Sequence, residues 1–201
     1  INIITRGGYT RRLNELRLGL GYEHGNVLPS ASWTRNDTLG NFNYNFTLAA
    51  NRFERSSASL RHESTENLVT GALIDQTESN ASSGSRQGVH LSSRLQWRDE
   101  RGNTLVLLPL LVVSQGSGDG ASQLTQTGGV APYSHTLSHS EGRFSTARLG
   151  GQWTYRLEQG GNINLRFGYG QSQWNNSAQR QNFDVGPGQN ALTETRSDQH
   201  D

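Results

Sequence analysis

Apolar and polar residues alternate along most of this chain with a period of two. The clearest example is the segment 41–51, in which Phe, Tyr, Phe, Leu and Ala occupy every second position and Asn or Thr most of the others. Five more segments show the same pattern, at 12–23, 26–34, 88–98, 147–157 and 162–170. Successive side chains of an extended chain point to opposite faces, so the pattern predicts β-strands with one apolar and one polar face.

A further segment, residues 104–113, is apolar at both alternating sets of positions and contains Pro109. Proline cannot donate a ladder hydrogen bond, so a central strand tolerates it poorly. Counted with the six alternating segments, it gives about seven strands. The sequence therefore predicts an all-β fold made of antiparallel strands.

The connections between these strands differ in length. Short links lie at 35–40, 99–103 and 158–161, whereas long polar stretches fill about 54–87, 114–142 and 175–201. We expect tight turns at one end of the sheet and long outer loops at the other. Strands of about ten residues, a polar inner face and this asymmetry are typical of a transmembrane β-barrel of the bacterial outer membrane.

Aromatic residues support this interpretation over its alternative, a soluble or secreted β-sandwich that acts as a binding module. They lie near the short links and near the opposite strand ends, as the interfacial girdles of a membrane barrel do. The residues near the short links are Trp33, Phe42, Trp97 and Tyr155, and those near the opposite ends are Tyr22 and Tyr169. A barrel in lipid exposes these side chains, whereas a sandwich buries them.

Composition narrows the function classes. The chain has 201 residues, no cysteine and a formal net charge of +1, and all 18 basic residues are arginine. No thiolate chemistry is available, no apolar run is long enough for a membrane helix, and the scattered arginines do not favour nucleic acid. We expect no cofactor and no enzymatic activity. An odd strand number cannot close a single-chain barrel, so the chain is expected to be an incomplete portion of a larger barrel.

The first six residues, Ile1, Asn2, Ile3, Ile4, Thr5 and Arg6, followed by Gly7 and Gly8, resemble the end of the plug domain of TonB-dependent outer-membrane receptors. The resemblance implies that residues 1–8 are the last plug strand with its joint, and that residues 9–201 are the N-terminal part of the barrel. It implies import of a scarce nutrient, such as a ferric siderophore, across the outer membrane of a Gram-negative bacterium. The implied partners are membrane lipid, the plug, the remaining barrel strands, the TonB complex and a small metal chelate.

Candidate ligand or lumen-lining residues fall into two groups. Arginines in mid-strand on the polar face would line a lumen and attract carboxylates, or would pair with acidic groups of the plug or of neighbouring strands. These are Arg94, Arg148, Arg156 and Arg166, and the outer loops add Tyr133, His135, His139 and Trp174. His135 and His139 have the spacing of a helical metal pair, but no third ligand accompanies them, so no metal site is predicted. A barrel hydrolase stays a further alternative, although no local motif joins a nucleophile to a base.

Overall fold

The computed structural model describes residues 12–23, 25–66, 68, 70–186 and 191–200. They form eight strands: β1 Leu13–Glu23, β2 Asn26–Leu39, β3 Phe42–Glu66, β4 Leu73–Arg98, β5 Thr104–Thr127, β6 His135–Arg156, β7 Asn162–Phe183 and β8 Leu192–His200. Among the described residues there is no helix long and apolar enough to cross a membrane. The proposed plug segment, residues 1–8, lies outside the described residues.

The eight strands make one antiparallel sheet in the order of the chain, with each strand hydrogen-bonded to its sequence neighbours. The sheet is open, because β1 and β8 are its edges and do not pair with each other. This confirms the all-β antiparallel prediction and the incomplete barrel. The predicted number of strands was one too low, because β8 lies inside the polar stretch 175–201.

The three stretches expected to be long loops are mostly strand. Residues 54–66 pair with 73–85, residues 114–123 pair with 135–144, and β7 continues to Phe183. The prediction failed because both faces are polar there, so the alternation that marks a strand disappears. Backbone pairing does not need that alternation: Ser57 and Ser82, for example, lie opposite each other with 2.7 Å between their hydroxyl oxygens.

Short turns do lie at one end of the sheet, as predicted. Side-chain hydrogen bonds stabilise the β4–β5 turn. The Asp99 carboxylate accepts one hydrogen bond from the backbone N–H of Asn103 at 2.8 Å and another from the side-chain Nδ2 of Asn103 at 2.7 Å. The backbone N–H of Arg156 in turn donates to Asn103 Oδ1 at 2.8 Å. Asn103 is only 8% exposed, so a single buried amide ties this turn to the end of β6.

Pro109 lies in the interior of β5, which is a central strand of the sheet. Proline is poorly tolerated in such a strand. The β4–β5 pairs stop at Ser92 and Leu110 and resume at Leu95 and Leu107, whereas Pro109 still pairs with Leu149 of β6. The register on both sides of this gap is the same. Proline lacks the N–H that one ladder bond needs, so the sheet accommodates it by losing pairs on one side only.

Candidate functional site

The unbroken register sorts every strand residue onto one of two faces. Residues that lie directly opposite in an antiparallel pair share a face. One face, called here the apolar face, carries a continuous stripe across β1 to β7, which we name the apolar band. It comprises alternate residues within 16–22, 27–33, 42–50, 89–97, 105–113, 147–155 and 163–169.

The apolar band is uncovered. No hydrophobic residue among those described is buried, and the exposed fraction reaches 76% for Leu18 and 81% for Leu20. The described strands form a single sheet, so no second sheet packs on the band as in a sandwich. On the longer strands the band spans about nine residues, which matches the 9–11 residues that a tilted strand needs to cross a bilayer.

Aromatic side chains border the band next to the short turns. Phe42 pairs with Trp97, Trp97 with Leu105, and Leu105 with Trp153, so three aromatic residues lie on one row across four strands. Tyr155 lies two residues beyond Trp153 on β6, on the same face and closer to the β6–β7 turn. At the other end, Tyr22 and Tyr169 are the last apolar residues of the band on β1 and β7. Aromatic side chains therefore lie at both ends of the apolar band on these strands.

We call each set of directly opposite residues on neighbouring strands a row. From β1 to β7 the apolar band runs obliquely to these rows. Gly19, at the centre of the β1 stretch, is in register through the intervening strands with Trp174 of β7. The centre of the β7 stretch is Arg166, about eight residues nearer the short turn. At about 3.4 Å per residue and about 4.8 Å per strand, that offset over six strand steps corresponds to an average tilt of about 43° between the strands and the normal to the band. The offset is uneven: the stretches on β3, β4 and β5 lie directly opposite one another, and five of the eight residues arise between β2 and β3.

The opposite face is strongly basic, and we call it the arginine face. Within the strands it carries ten arginines and four carboxylates, whereas the apolar face carries four arginines and eight carboxylates. The ten are Arg17, Arg55, Arg61, Arg86, Arg94, Arg98, Arg148, Arg156, Arg166 and Arg180, and the four are Glu15, Glu23, Glu63 and Glu78. A nearly neutral chain thus presents one face that attracts anions.

All four predicted lumen arginines lie on the arginine face. Arg94 is on β4, Arg148 and Arg156 on β6, and Arg166 on β7. Within the described part of the chain none of them forms an ion pair, whereas Arg17 is held by Glu15 at 2.9 Å. Within the described strands, these four guanidinium groups therefore have no carboxylate partner at ion-pair distance.

Tyr133 lies in the β5–β6 connection and joins a small polar cluster on the arginine face. Its hydroxyl donates to Glu78 Oε1 at 3.2 Å, Ser122 Oγ donates to the same oxygen at 2.7 Å, and Arg180 lies over the Tyr133 ring at 5.2 Å. The hydrogen bond from Ser122 is the main cause that holds the pKa of Glu78 below its ordinary value. This cluster fixes the tyrosine in place.

His135 and His139 lie on the apolar face, opposite the arginine face, and do not form a metal pair. Both are on β6, where a spacing of four residues separates them by about 13 Å. His135 stacks on Phe183 with ring centroids 4.1 Å apart, and His139 Nδ1 lies 2.7 Å from Asp119 Oδ1. Among the described residues no group of three or more His, Cys, Asp or Glu side chains could hold a metal ion.

Trp174, expected near a loop, lies on β7 on the arginine face, directly opposite Phe144 of β6. Phe53 and Arg86 pair on β3 and β4 of the same face. Sequence reasoning missed Phe53, Arg86 and Phe144, because Arg86 lay in a stretch interpreted as loop and the two phenylalanines lay beside such stretches. Only the strand register brings these residues onto the face that carries Trp174.

Comparison of the chain with models of protein families and with curated proteins gives no match.

Proposed function

We propose that this chain is part of an outer-membrane TonB-dependent receptor that binds and imports a scarce nutrient such as a ferric siderophore. The observation that carries the proposal is the apolar band. It is exposed, about nine residues high on the longer strands and bordered by aromatic side chains. Water makes such a continuous exposed surface unfavourable, whereas the hydrocarbon of a bilayer stabilises it.

The oblique path of the band supports a membrane in particular. A bilayer is a flat slab, so lipid-facing residues on tilted strands must shift steadily along the strands from one neighbour to the next. The tilt of about 43° that the shift requires falls within the range of about 35–45° found in outer-membrane barrels. In this sheet the shift is uneven, because five of its eight residues arise between β2 and β3, so the support for a membrane lies in the average tilt.

The receptor part of the proposal rests on the resemblance of residues 1–6 to the last plug strand and on the arginine face. In a barrel with lipid outside, the arginine face lines the lumen. Its arginines would then meet the plug and anionic solutes such as carboxylate-bearing metal chelates. The strands continue beyond the band on the side away from the short turns, where the ligand would enter.

The membrane part is tested by depth measurements with single cysteines, which the cysteine-free chain permits without background labelling. The chain is reconstituted into phosphatidylcholine vesicles with a fluorophore at Leu111→Cys or at the neighbouring Leu110→Cys. We expect lipids brominated in mid-chain to quench the probe at residue 111 and to spare the probe at residue 110, on the arginine face.

The tilt is tested by probes at Leu18→Cys, Leu165→Cys and Gln173→Cys. Residues 18 and 173 are in register across the sheet. The proposal is supported if the probes at residues 18 and 165 lie at equal depth in the bilayer and the probe at residue 173 lies outside the hydrocarbon. Equal depths at 18 and 173 mean upright strands and contradict it, and quenching at none of these sites favours a soluble module.

The receptor part is tested in cells. Uptake of radiolabelled ferric chelates is compared between a strain that carries the gene and a deletion strain, each with and without a functional TonB complex. We expect uptake that needs both the gene and the complex. Uptake that continues unchanged without the complex would overturn the receptor assignment and leave the membrane assignment intact.

A further inference from the structure

A shallow depression of about 790 Å³ lies on the arginine face beyond the apolar band, on the side away from the short turns. It spans β3 to β7, and its floor consists of glycine and serine. The floor residues on this face include Gly84, Gly116, Gly118, Gly120, Gly142, Ser82, Ser114, Ser138 and Ser140. Small side chains make the floor flat and leave room above it.

Strand packing explains only some of these glycines. A Cβ added at Gly116 would lie 2.8 Å from the carbonyl oxygen of Ser85, so glycine is needed there for close approach of β4 and β5. At Gly142 the nearest atom to an added Cβ is Asn176 Oδ1 at 3.4 Å, an ordinary contact. A side chain would fit at residue 142, and its absence keeps the floor open.

Aromatic residues form the walls. Within the described strands the arginine face carries three aromatic side chains, Phe53, Phe144 and Trp174, and all three border this depression. Phe53 is 45% exposed and Trp174 is 56% exposed. Phe53 lies on β3 and Phe144 on β6, three strand steps or about 14 Å across the floor. Aromatic side chains therefore border the polar floor on two opposite sides.

The depression is also basic. Arg55 and Arg86 line it, and within the described residues neither forms an ion pair. Arg86 Nη2 donates to Ser114 Oγ at 2.9 Å, which orients its guanidinium along the floor. None of the four carboxylates of the arginine face lines the depression. Asp119 also borders it, but belongs to the apolar face, where His139 holds it.

We propose that this depression binds an acidic saccharide, that is, a short chain of sugar rings with carboxylate groups. Aromatic side chains cover the apolar C–H faces of sugar rings, and serine hydroxyls exchange hydrogen bonds with ring hydroxyls. Guanidinium groups bind carboxylates in a forked geometry. The space between the aromatic walls holds about two linked rings. The proposal rests on the proposed function and adds acidic saccharides to the carboxylate-bearing ligands that the receptor would bind.

The test is calorimetric titration of the full chain, reconstituted in vesicles, with trigalacturonic acid and with its uncharged methyl ester. We expect binding of the acid and at least about tenfold weaker binding of the ester. Trp174→Ala and Arg86→Gln should each weaken binding of the acid by about tenfold or more. Arg52→Gln removes a charge at a similar height on the apolar face and should leave binding unchanged.

Trp174→Phe serves as a folding control, because it keeps an aromatic wall and should retain most of the affinity that Trp174→Ala loses. Equal binding of acid and ester, or unchanged binding in both Trp174→Ala and Arg86→Gln, overturns the site. Binding of ferric citrate to Arg86, with no binding of trigalacturonic acid, overturns the ligand class. The depth measurements report on the membrane assignment independently, so a failed titration in a correctly inserted chain contradicts the saccharide alone.

Discussion

Leu16 of β1 and Gln171 of β7 lie on the same row of the sheet, linked through Trp33, Leu48, Leu91, Leu111 and Ala147. Leu16 nevertheless begins the apolar band on its strand, whereas Gln171 lies beyond the last apolar residue of the band on β7. The hydrophobic surface and the hydrogen-bonded rows therefore run in different directions. In the proposed receptor, a flat lipid slab across tilted strands would give this relationship a physical cause.

An arginine in the middle of the apolar band should weaken insertion. Leu48→Arg places a guanidinium in the hydrocarbon and is expected to cost about 2–4 kcal/mol of folding free energy in vesicles, measured from urea titrations. Ala49→Arg, one residue along β3 but on the arginine face, should change that free energy by no more than about 1 kcal/mol. Equal losses from the two variants would contradict a lipid-facing band.

Removal of the buried turn amide should loosen the end of β6. Asn103→Ala deletes the acceptor of the Arg156 N–H and a donor to Asp99, and should lower the free energy of unfolding by about 1–3 kcal/mol. Hydrogen exchange at the backbone amide of Arg156 should be faster in Asn103→Ala, because this N–H loses its acceptor. Asn41→Ala, at an exposed position in the neighbouring β2–β3 turn, is the matched control and should leave exchange at Arg156 unchanged.

His139 should titrate above the ordinary histidine value. The hydrogen bond with Asp119 is the largest cause that raises its pKa, followed by the one with Glu141. The charged histidine is the partnered form, so its contribution to the β5–β6 hairpin is complete below about pH 6.5 and disappears as the pH rises through the raised pKa.

NMR titration of the His139 ring measures this pKa directly. Asp119→Asn should lower it, and amide protection in the β5–β6 hairpin should lose its dependence on pH in the same variant. A pKa for His139 that is unchanged in Asp119→Asn would show that the pair does not persist in solution.

Gly151 should resist substitution because its neighbour fills the space. An added Cβ would overlap the ring of Phe167 on β7, whereas at Gly150 the nearest atom is Leu108 Cβ at 3.8 Å. Gly151→Ala should therefore lower the free energy of unfolding by about 1–3 kcal/mol, and Gly150→Ala should have little effect. The double variant Gly151→Ala with Phe167→Ala should recover part of the loss relative to the two single variants, as a double-mutant cycle measures. Strict additivity would contradict this packing.

Sequence patterns predicted the strands wherever one face is apolar, and they predicted the short turns at 99–103 and 158–161. The first short link, predicted at 35–40, was too long, because residues 35–39 belong to β2. The patterns failed at about residues 54–87, 114–142 and 175–201, because polar residues and glycine on both faces leave no alternation to detect. The predicted site residues fall into two groups, according to whether they lie in an alternating segment or in a stretch interpreted as loop. The arginines in alternating segments lie on the expected face, whereas His135 and His139, taken for loop residues, lie on β6 and on the opposite face.

The sequence by itself determined the antiparallel sheet and its apolar and polar faces, because a period of two is a local property of an extended chain. The tertiary structure alone decided which residues of distant strands share a row, since that depends on turn lengths and backbone pairing accumulated over seven hairpins. The oblique band, the excess of arginine on one face and the convergence of Phe53, Phe144 and Trp174 all follow from that register. Each is a relation between strands, which no single segment of the chain encodes.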